Sequence, residues 1–218
     1  MFTGIIQESA HVLSFSQLKT GLWLLRVESK LEAAPSWPLG ASVALDGVCL
    51  TLVKSEAHTI SSTERSCALD FELSAETLSR STFGLGRNPG ERVHLEPSLT
   101  PSSLMGGHFV SGHVDAVASC LEIQEDPKFW RVVFRLEGAA RERVAPYLVE
   151  KGSIAIDGVS LTVNEVMDRD SVTDFSCVLV PHTLNVTKFH SLQPTVEVNL
   201  EADLVAKYVA RYQQFHAR

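Results

Sequence analysis

The chain carries an internal repeat, and any fold it adopts must be built twice. Residues 42–52 read SVALDGVCLTL and residues 153–163 read SIAIDGVSLTV. Seven of the eleven positions are identical and the other four are conservative. Flanking pieces recur in the same order. Glu76-Thr77-Leu78 matches His182-Thr183-Leu184, Phe83 matches Phe189, and Val93-His94-Leu95-Glu96 matches Val198-Asn199-Leu200-Glu201. At the front, Gly4-Ile5-Ile6 matches Gly112-His113-Val114. A chain of 218 residues is therefore two copies of one unit, each about as large as a small domain. The copies meet near Thr100-Pro101-Ser102-Ser103, a Pro/Ser-rich stretch of the kind that joins domains.

The repeated unit reads as all-β. Leu22–Val27, Ser42–Leu45, Cys49–Val53, Arg131–Leu136, Ser153–Ile156 and Ser160–Val163 are short and rich in Val, Ile, Leu and Thr. Asp46-Gly47 and Asp157-Gly158 each separate two such runs and predict tight hairpins, because Gly accepts the positive φ of a primed turn. Several short strands per repeat point to a small closed barrel, which leaves no exposed sheet edge. One helix is expected, over Asp203–Phe215, where Leu204, Tyr208, Arg211 and Phe215 recur at helical spacing and Val205, Val209 and Tyr212 widen the stripe. It would pack on a repeat or self-associate. The expected divisions are residues 1–100, 101–202 and 203–218.

Composition excludes several classes. Apolar residues make up 44%, enough for a core. The net charge of −7 disfavours nucleic acid as a partner. No apolar run is long enough for a membrane helix, and the N-terminus has no basic leader, so a cytoplasmic protein is expected. Cys49, Cys67, Cys120 and Cys177 form no CxxC pair. They are expected as reduced thiols, the last three as small buried hydrophobes.

The repeats differ where chemistry is expected. Cys49 corresponds to Ser160, and Ile5 to His113. The stretch GGHFVSGHVD, residues 106–115, has two histidines interleaved with glycines and a serine. His108 and His113 can exchange protons near neutral pH or serve as structural donors. A zinc reading has only Asp115 as a nearby further ligand, so no metal is expected. On a strand Cys49 and Thr51 share one face, as do Ser160 and Thr162. These short polar groups are expected to face inward and bind a ligand's edge. Cys49 is either such a contact or a nucleophile. Thr77 and Thr183 would read a carbonyl or cap a helix. His11, His58, His94, His190 and His216 have no partner pattern and are expected at the surface.

Taken together, the opening MFTGI, the paired DGVCLT and DGVSLT, GGHFVSGHVD, the ETL and PHTL pair and the terminal VNLE before a helix closely resemble riboflavin synthases of the alpha-chain type, over essentially the whole chain. The resemblance implies two similar six-stranded Greek-key β-barrels and a C-terminal helix that assembles a homotrimer. It implies two 6,7-dimethyl-8-ribityllumazine molecules per active site, between the first barrel of one subunit and the second of its neighbour. One molecule would pass a four-carbon unit to the other, giving riboflavin and 5-amino-6-(ribitylamino)uracil, with no cofactor. Lumazine synthase is a possible partner.

By the same resemblance, substrate contacts fall on Gly4, Ile5, Ile6, Cys49, Leu50, Thr51, Glu72, Leu73, Ser74, Ala75, Glu76 and Thr77. Further contacts fall on Gly112, His113, Val114, Lys151, Ser160, Leu161, Thr162, Val178, Leu179, Val180, Pro181, His182 and Thr183. The chemical participants would be Phe2, Ser42, Cys49, His108, His113, Ser160 and Asp203; Phe2, Ser42 and Asp203 enter through the resemblance alone. One departure is His94, where an Asn like Asn199 is common; its place at a strand end suggests little consequence.

Two rivals stand beside this reading. One is a non-catalytic lumazine- or flavin-binding antenna protein, which would tend to lose the polar set of one barrel. The other is a flavin-binding barrel of an oxidoreductase, which would need a nucleotide-binding domain, and no GxGxxG follows a strand here.

Overall fold

Both Asp-Gly turns form as the sequence predicts, with positive φ at both residues: 45° and 76° at Asp46 and Gly47, 44° and 80° at Asp157 and Gly158. They anchor the architecture in a computed structural model that describes residues 1–59 and 65–216. The first repeat contains β1 (Glu8–Gln17), β2 (Trp23–Ser29), β3 (Ser42–Leu45), β4 (Val48–Thr59), β5 (Arg65–Leu73) and β6 (Arg92–Pro97). The second contains β7 (Ala116–Asp126), β8 (Phe129–Glu137), β9 (Ser153–Ile156), β10 (Val159–Asp168), β11 (Val172–Leu179) and β12 (Glu197–Ala202). Each set closes into an antiparallel barrel, in the order β1-β2-β5-β4-β3-β6 and then β7-β8-β11-β10-β9-β12. The two orders are the same path, with Greek-key placement of β2 beside β5 and of β8 beside β11.

Alternation along the strands builds each core. Val48, Leu50 and Leu52 of β4 point into the first barrel with Leu25, Val27, Leu69 and Phe71. Val159, Leu161 and Val163 of β10 do the same in the second, beside Phe134 and Phe175, whose rings stack at 5.5 Å. Bulges recur at equivalent places, between Leu52 and Lys54 and between Val163 and Glu165.

Helices are short except at the end. α1 (Ala75–Arg80), α2 (Gly138–Val144) and α3 (Pro181–Val186) fill strand connections, and α4 (Leu204–His216) follows β12. Nothing in the periodicity of the first three announced them; at six or seven residues they are too short to show one. No residue of α4 is buried, and Val205, Tyr208, Val209, Tyr212 and Phe215 lie exposed along it. Among the described residues no helix is long and apolar enough to cross a membrane.

Cys67, Cys120 and Cys177 are buried and free. Burial pushes the Cys120 thiol up to about 11 and the Cys177 thiol up to about 12, so both stay protonated and act as small apolar groups. Four of the five histidines without a partner pattern are exposed or half-buried. His94 is the exception. It is completely buried between the barrels, and the expectation of a surface position and of little consequence is wrong for it.

Candidate functional site

Cys49 and Thr51 do share a face, and so do Ser160 and Thr162, but it is the outer face of each barrel. The intervening Leu50 and Leu161 take the interior. The inward placement expected from the sequence is therefore reversed. A closed six-stranded barrel fills its interior with side chains, and burying a hydroxyl or thiol there in place of leucine forfeits transfer energy on the order of 2 kcal/mol. The polar groups of the two repeats are then presented outside the barrels, on the walls formed by β4 and β10.

What covers each wall comes from the other repeat. Phe2 and Val110 pair as an antiparallel bridge, through Phe2 N–H to Val110 O at 2.8 Å and Val110 N–H to Phe2 O at 3.1 Å. From there the two opening segments cross. Cys49 N–H donates to Gly112 O at 2.8 Å, and Ser160 N–H donates to Gly4 O at 2.8 Å. The segment that opens the second repeat lies on the first barrel, and the N-terminus lies on the second. Both glycines have positive φ, and a Cβ on Gly112 would fall 2.5 Å from Cys49 Cβ, one on Gly4 2.6 Å from Ser160 N.

A glutamate at the end of the last strand of each barrel holds each segment. Glu96 accepts from Thr3 N–H, Thr3 Oγ1 and Gly4 N–H at 2.8–3.0 Å. Glu201 accepts from the N–H groups of Ser111, Gly112 and His113 and from Ser111 Oγ. Burial pushes the Glu96 carboxyl up against the pull of its donors.

At the first barrel these parts enclose a cleft of about 380 Å³ lined by Val48, Cys49, Glu76, Thr77, Arg80, Ser81, Gly112, His113, Val114 and Asp115. Ser74 caps α1 by accepting from Thr77 N–H at 3.1 Å, which aims the helix at the cleft. Of the expected contacts on this segment, Leu73 points into the core, while Glu72, Ser74, Ala75 and Glu76 are exposed and Thr77 is half-buried. Arg80 pairs with Glu76 at 3.1 Å and brings a cation beside the Cys49 wall.

At the second barrel Ser160 Oγ lies 2.7 Å from His108 Nδ1. His108 Nε2 is buried without a hydrogen-bond partner among the described residues. Burial pulls the His108 pKa below its ordinary value, and the Asp203 carboxylate opposes that shift. Asp203 also caps α4, accepting from Val205 N–H at 2.8 Å. Ile5 is exposed on this side, Ile6 is buried in the second barrel's core, and Thr162, Val178, Val180, Pro181 and His182 are exposed, with Thr183 half-buried and Leu179 interior. Lys151 donates to Asn164 Oδ1 at 2.9 Å.

The remaining expected participants sit differently. Phe2 is fully buried with Ala44, Val110 and Ala155 on the seam between the barrels, in a cluster that packs against Cys49, and its ring lies against Gly112. Ser42 starts β3 opposite Thr51. Sequence reasoning missed Arg80, Ser81, Glu96 and Glu201. The two glutamates end the repeated VHLE and VNLE strings, and their recurrence was the signal. Among the described residues no group of three or more His, Cys, Asp or Glu could hold a metal.

Comparison with known proteins places this geometry. The lumazine binding domain family matches twice, over residues 3–98 and 111–203. The riboflavin synthase of Mycobacterium tuberculosis is 39% identical over 97% of this chain and 97% of its own length. That of Brucella abortus is 37% identical over 99% of each, and that of Photobacterium phosphoreum 35% over 97% of this chain and 88% of its own. Among solved structures, LumP complexed with riboflavin superposes with a TM-score of 0.74 at 21% identity, over 93% of this chain and 99% of that one. LumP complexed with 6,7-dimethyl-8-(1'-D-ribityl)lumazine gives 0.71 at 21% identity over the same shares. Two barrels on one path, with opening segments that cross between them, are thus a doubled lumazine binding domain, and the chain belongs to the riboflavin synthase family.

Proposed function

We propose that this protein catalyses the dismutation of 6,7-dimethyl-8-ribityllumazine to riboflavin and 5-amino-6-(ribitylamino)uracil. The observation that carries the proposal is the pair of equivalent but chemically unlike sites. One offers Cys49, His113 and Arg80; the other offers Ser160 and His108. A reaction between two identical molecules needs two similar binding walls, and it needs them to differ if one molecule gives and the other receives. The four-carbon transfer balances between the two lumazines, so no oxidant or reductant enters.

The residues supply proton transfer and orientation. Removal of a proton from the lumazine 7-methyl group leaves a carbanion delocalised into the ring, and a nearby base assists it. His108, kept toward its neutral form, can take the Ser160 hydroxyl proton at Nδ1 and so activate that oxygen for addition to a ring. His113 and Cys49 face the other lumazine. Holding the two reactants face to face contributes much of the acceleration. The apolar stripe of α4, with no cover in the single chain, supports a homotrimer in which the first barrel of one subunit meets the second of its neighbour. Residues 1–100 and 101–202 would be the two lumazine-binding repeats, each lending its opening segment to the other's barrel, and 203–218 the assembly helix.

Incubation with 6,7-dimethyl-8-ribityllumazine alone, without metal or nicotinamide, tests this. One riboflavin should appear for every two lumazines consumed. Folded protein that holds one fluorophore tightly and turns nothing over would replace the enzyme by the antenna reading.

A further inference from the structure

A buried polar cluster lies between the barrels, apart from the Cys49 cleft and from the Ser160–His108 pair. The Asp46-Gly47 and Asp157-Gly158 turns meet there back to back; a Cβ on Gly47 would fall 2.6 Å from Gly158 N. Asp46 Oδ1 accepts from His94 N–H at 2.8 Å, and Asp157 Oδ1 accepts from Asn199 N–H at 2.7 Å. Each turn is then gripped by the opposite barrel. His94 Nδ1 binds Asp157 O at 2.8 Å, and Asn199 Nδ2 binds Asp46 O at 2.9 Å. The grips are matched again at their acceptors. His94 Nε2 takes Lys188 N–H at 2.9 Å, and Asn199 Oδ1 takes Thr82 N–H at 2.7 Å. A neutral imidazole reproduces the donor and acceptor of an amide, which explains how His94 occupies a position equivalent to Asn199.

The cations of the cluster break the pseudo-twofold. Lys188, whose repeat equivalent is Thr82, reaches across the axis with its ammonium 2.6 Å from Asp46 Oδ2 and 3.1 Å from Asp157 Oδ2. Arg87 adds a weaker contact to Asp46 at 3.4 Å. Both turns lead within three residues to the site walls, Asp46 to Cys49 and Asp157 to Ser160. A shift of either turn therefore moves a site residue along its strand.

We propose that Lys188 is a positioning residue for both sites at once: by bridging Asp46 and Asp157 it locks the two turns together and sets the spacing of the Cys49 and Ser160 walls. Its effect on rate rests on the reaction proposed above; its effect on the Cys49 wall does not. Orientation errors of an ångström at reacting groups cost large factors in rate.

The test uses the full chain with Lys188→Met and, because that change takes the ammonium from Asp157 and leaves Asp46 the weaker Arg87 contact, the charge-balanced pair Lys188→Met with Asp157→Asn. Circular dichroism identifies the variant that folds. Two readouts follow. In the lumazine dismutation, kcat should fall by about tenfold or more while KM stays within about threefold. Without substrate, iodoacetamide should alkylate Cys49 about threefold faster or more, because the other three cysteines are buried and a loosened turn lifts Cys49 from Gly112. A folded variant with unchanged kcat and unchanged Cys49 alkylation overturns the inference, and so does a rise in KM at constant kcat. If the parent protein makes no riboflavin, the reaction reading fails, and the alkylation rate alone decides the inference.

Discussion

At the scale of single residues, two buried groups on the seam titrate in opposite senses. His94 is held down to about 4 by burial and by Lys188, with Asp46 opposing. Its unfolded value is near 6.5, so the unfolded chain binds a proton that the folded chain refuses. Its contribution to stability is complete above that value and is lost as pH falls toward 4. Burial raises Asp157 to about 6 against the pull of Lys188, with Asp46 adding to the rise. Its contribution is complete below 3.8 and is lost as pH rises through about 6. Lys188 and Arg87 are the facing cations, and they keep Asp46 below its usual range despite burial. Between about pH 4 and 6 the two trends oppose. His94→Asn should therefore tilt stability toward acid, and Asp157→Asn away from it. Urea midpoints at about pH 7 and about pH 4.5 measure both tilts, and equal slopes in the two variants would refute the assignment. In the second site, Ser160→Ala should lower kcat by roughly a hundredfold while a bound flavin's affinity moves little, read by stopped-flow turnover and fluorescence titration. Identities such as Ser160, His113 and Cys49 were legible in the sequence because they differ between matched positions of a repeat, and His108 because it stands among glycines in GGHFVSGHVD. The role of His94 was not, since a lone histidine on a strand carries no mark of a partner in the other repeat.

At the scale of elements, the strands and both turns were readable because short β-branched runs alternate with Asp-Gly. The facing of β4 and β10 was not. Alternation says that Cys49 and Thr51 share a face, but closure of the barrel decides which face is inside, and Leu50 and Leu161 win it. Short helices such as α1 were hidden for the same kind of reason: six residues give a cap but no period. The back-to-back turns make a local prediction. Gly158→Ala adds a methyl group at φ 80°, with its Cβ 2.8 Å from Gly47 N, and neither backbone can yield. It should cost about 2 kcal/mol or more, measured as a fall in urea midpoint, and a neutral result would mean that the turns do not touch.

At the scale of the whole molecule, α4 presents Val205, Tyr208, Val209, Tyr212 and Phe215 to solvent in the single chain. On the assembly proposed above, the parent should sediment as a trimer and a chain ending after Asp203 as a monomer; a trimer from the shortened chain would refute the helix's role. The crossing of Phe2–Ile6 onto the second barrel and of Val110–Val114 onto the first has a different consequence. Neither half owns its site. A single-repeat forebear with this geometry would complete its pocket only by trading opening strands with a sister molecule, as domain-swapped dimers do. Fusing two copies end to end makes that trade permanent within one chain. It also frees each half to mutate alone, so a symmetric dimer with two identical pockets can become a chain in which cysteine stands on one wall and serine on the other.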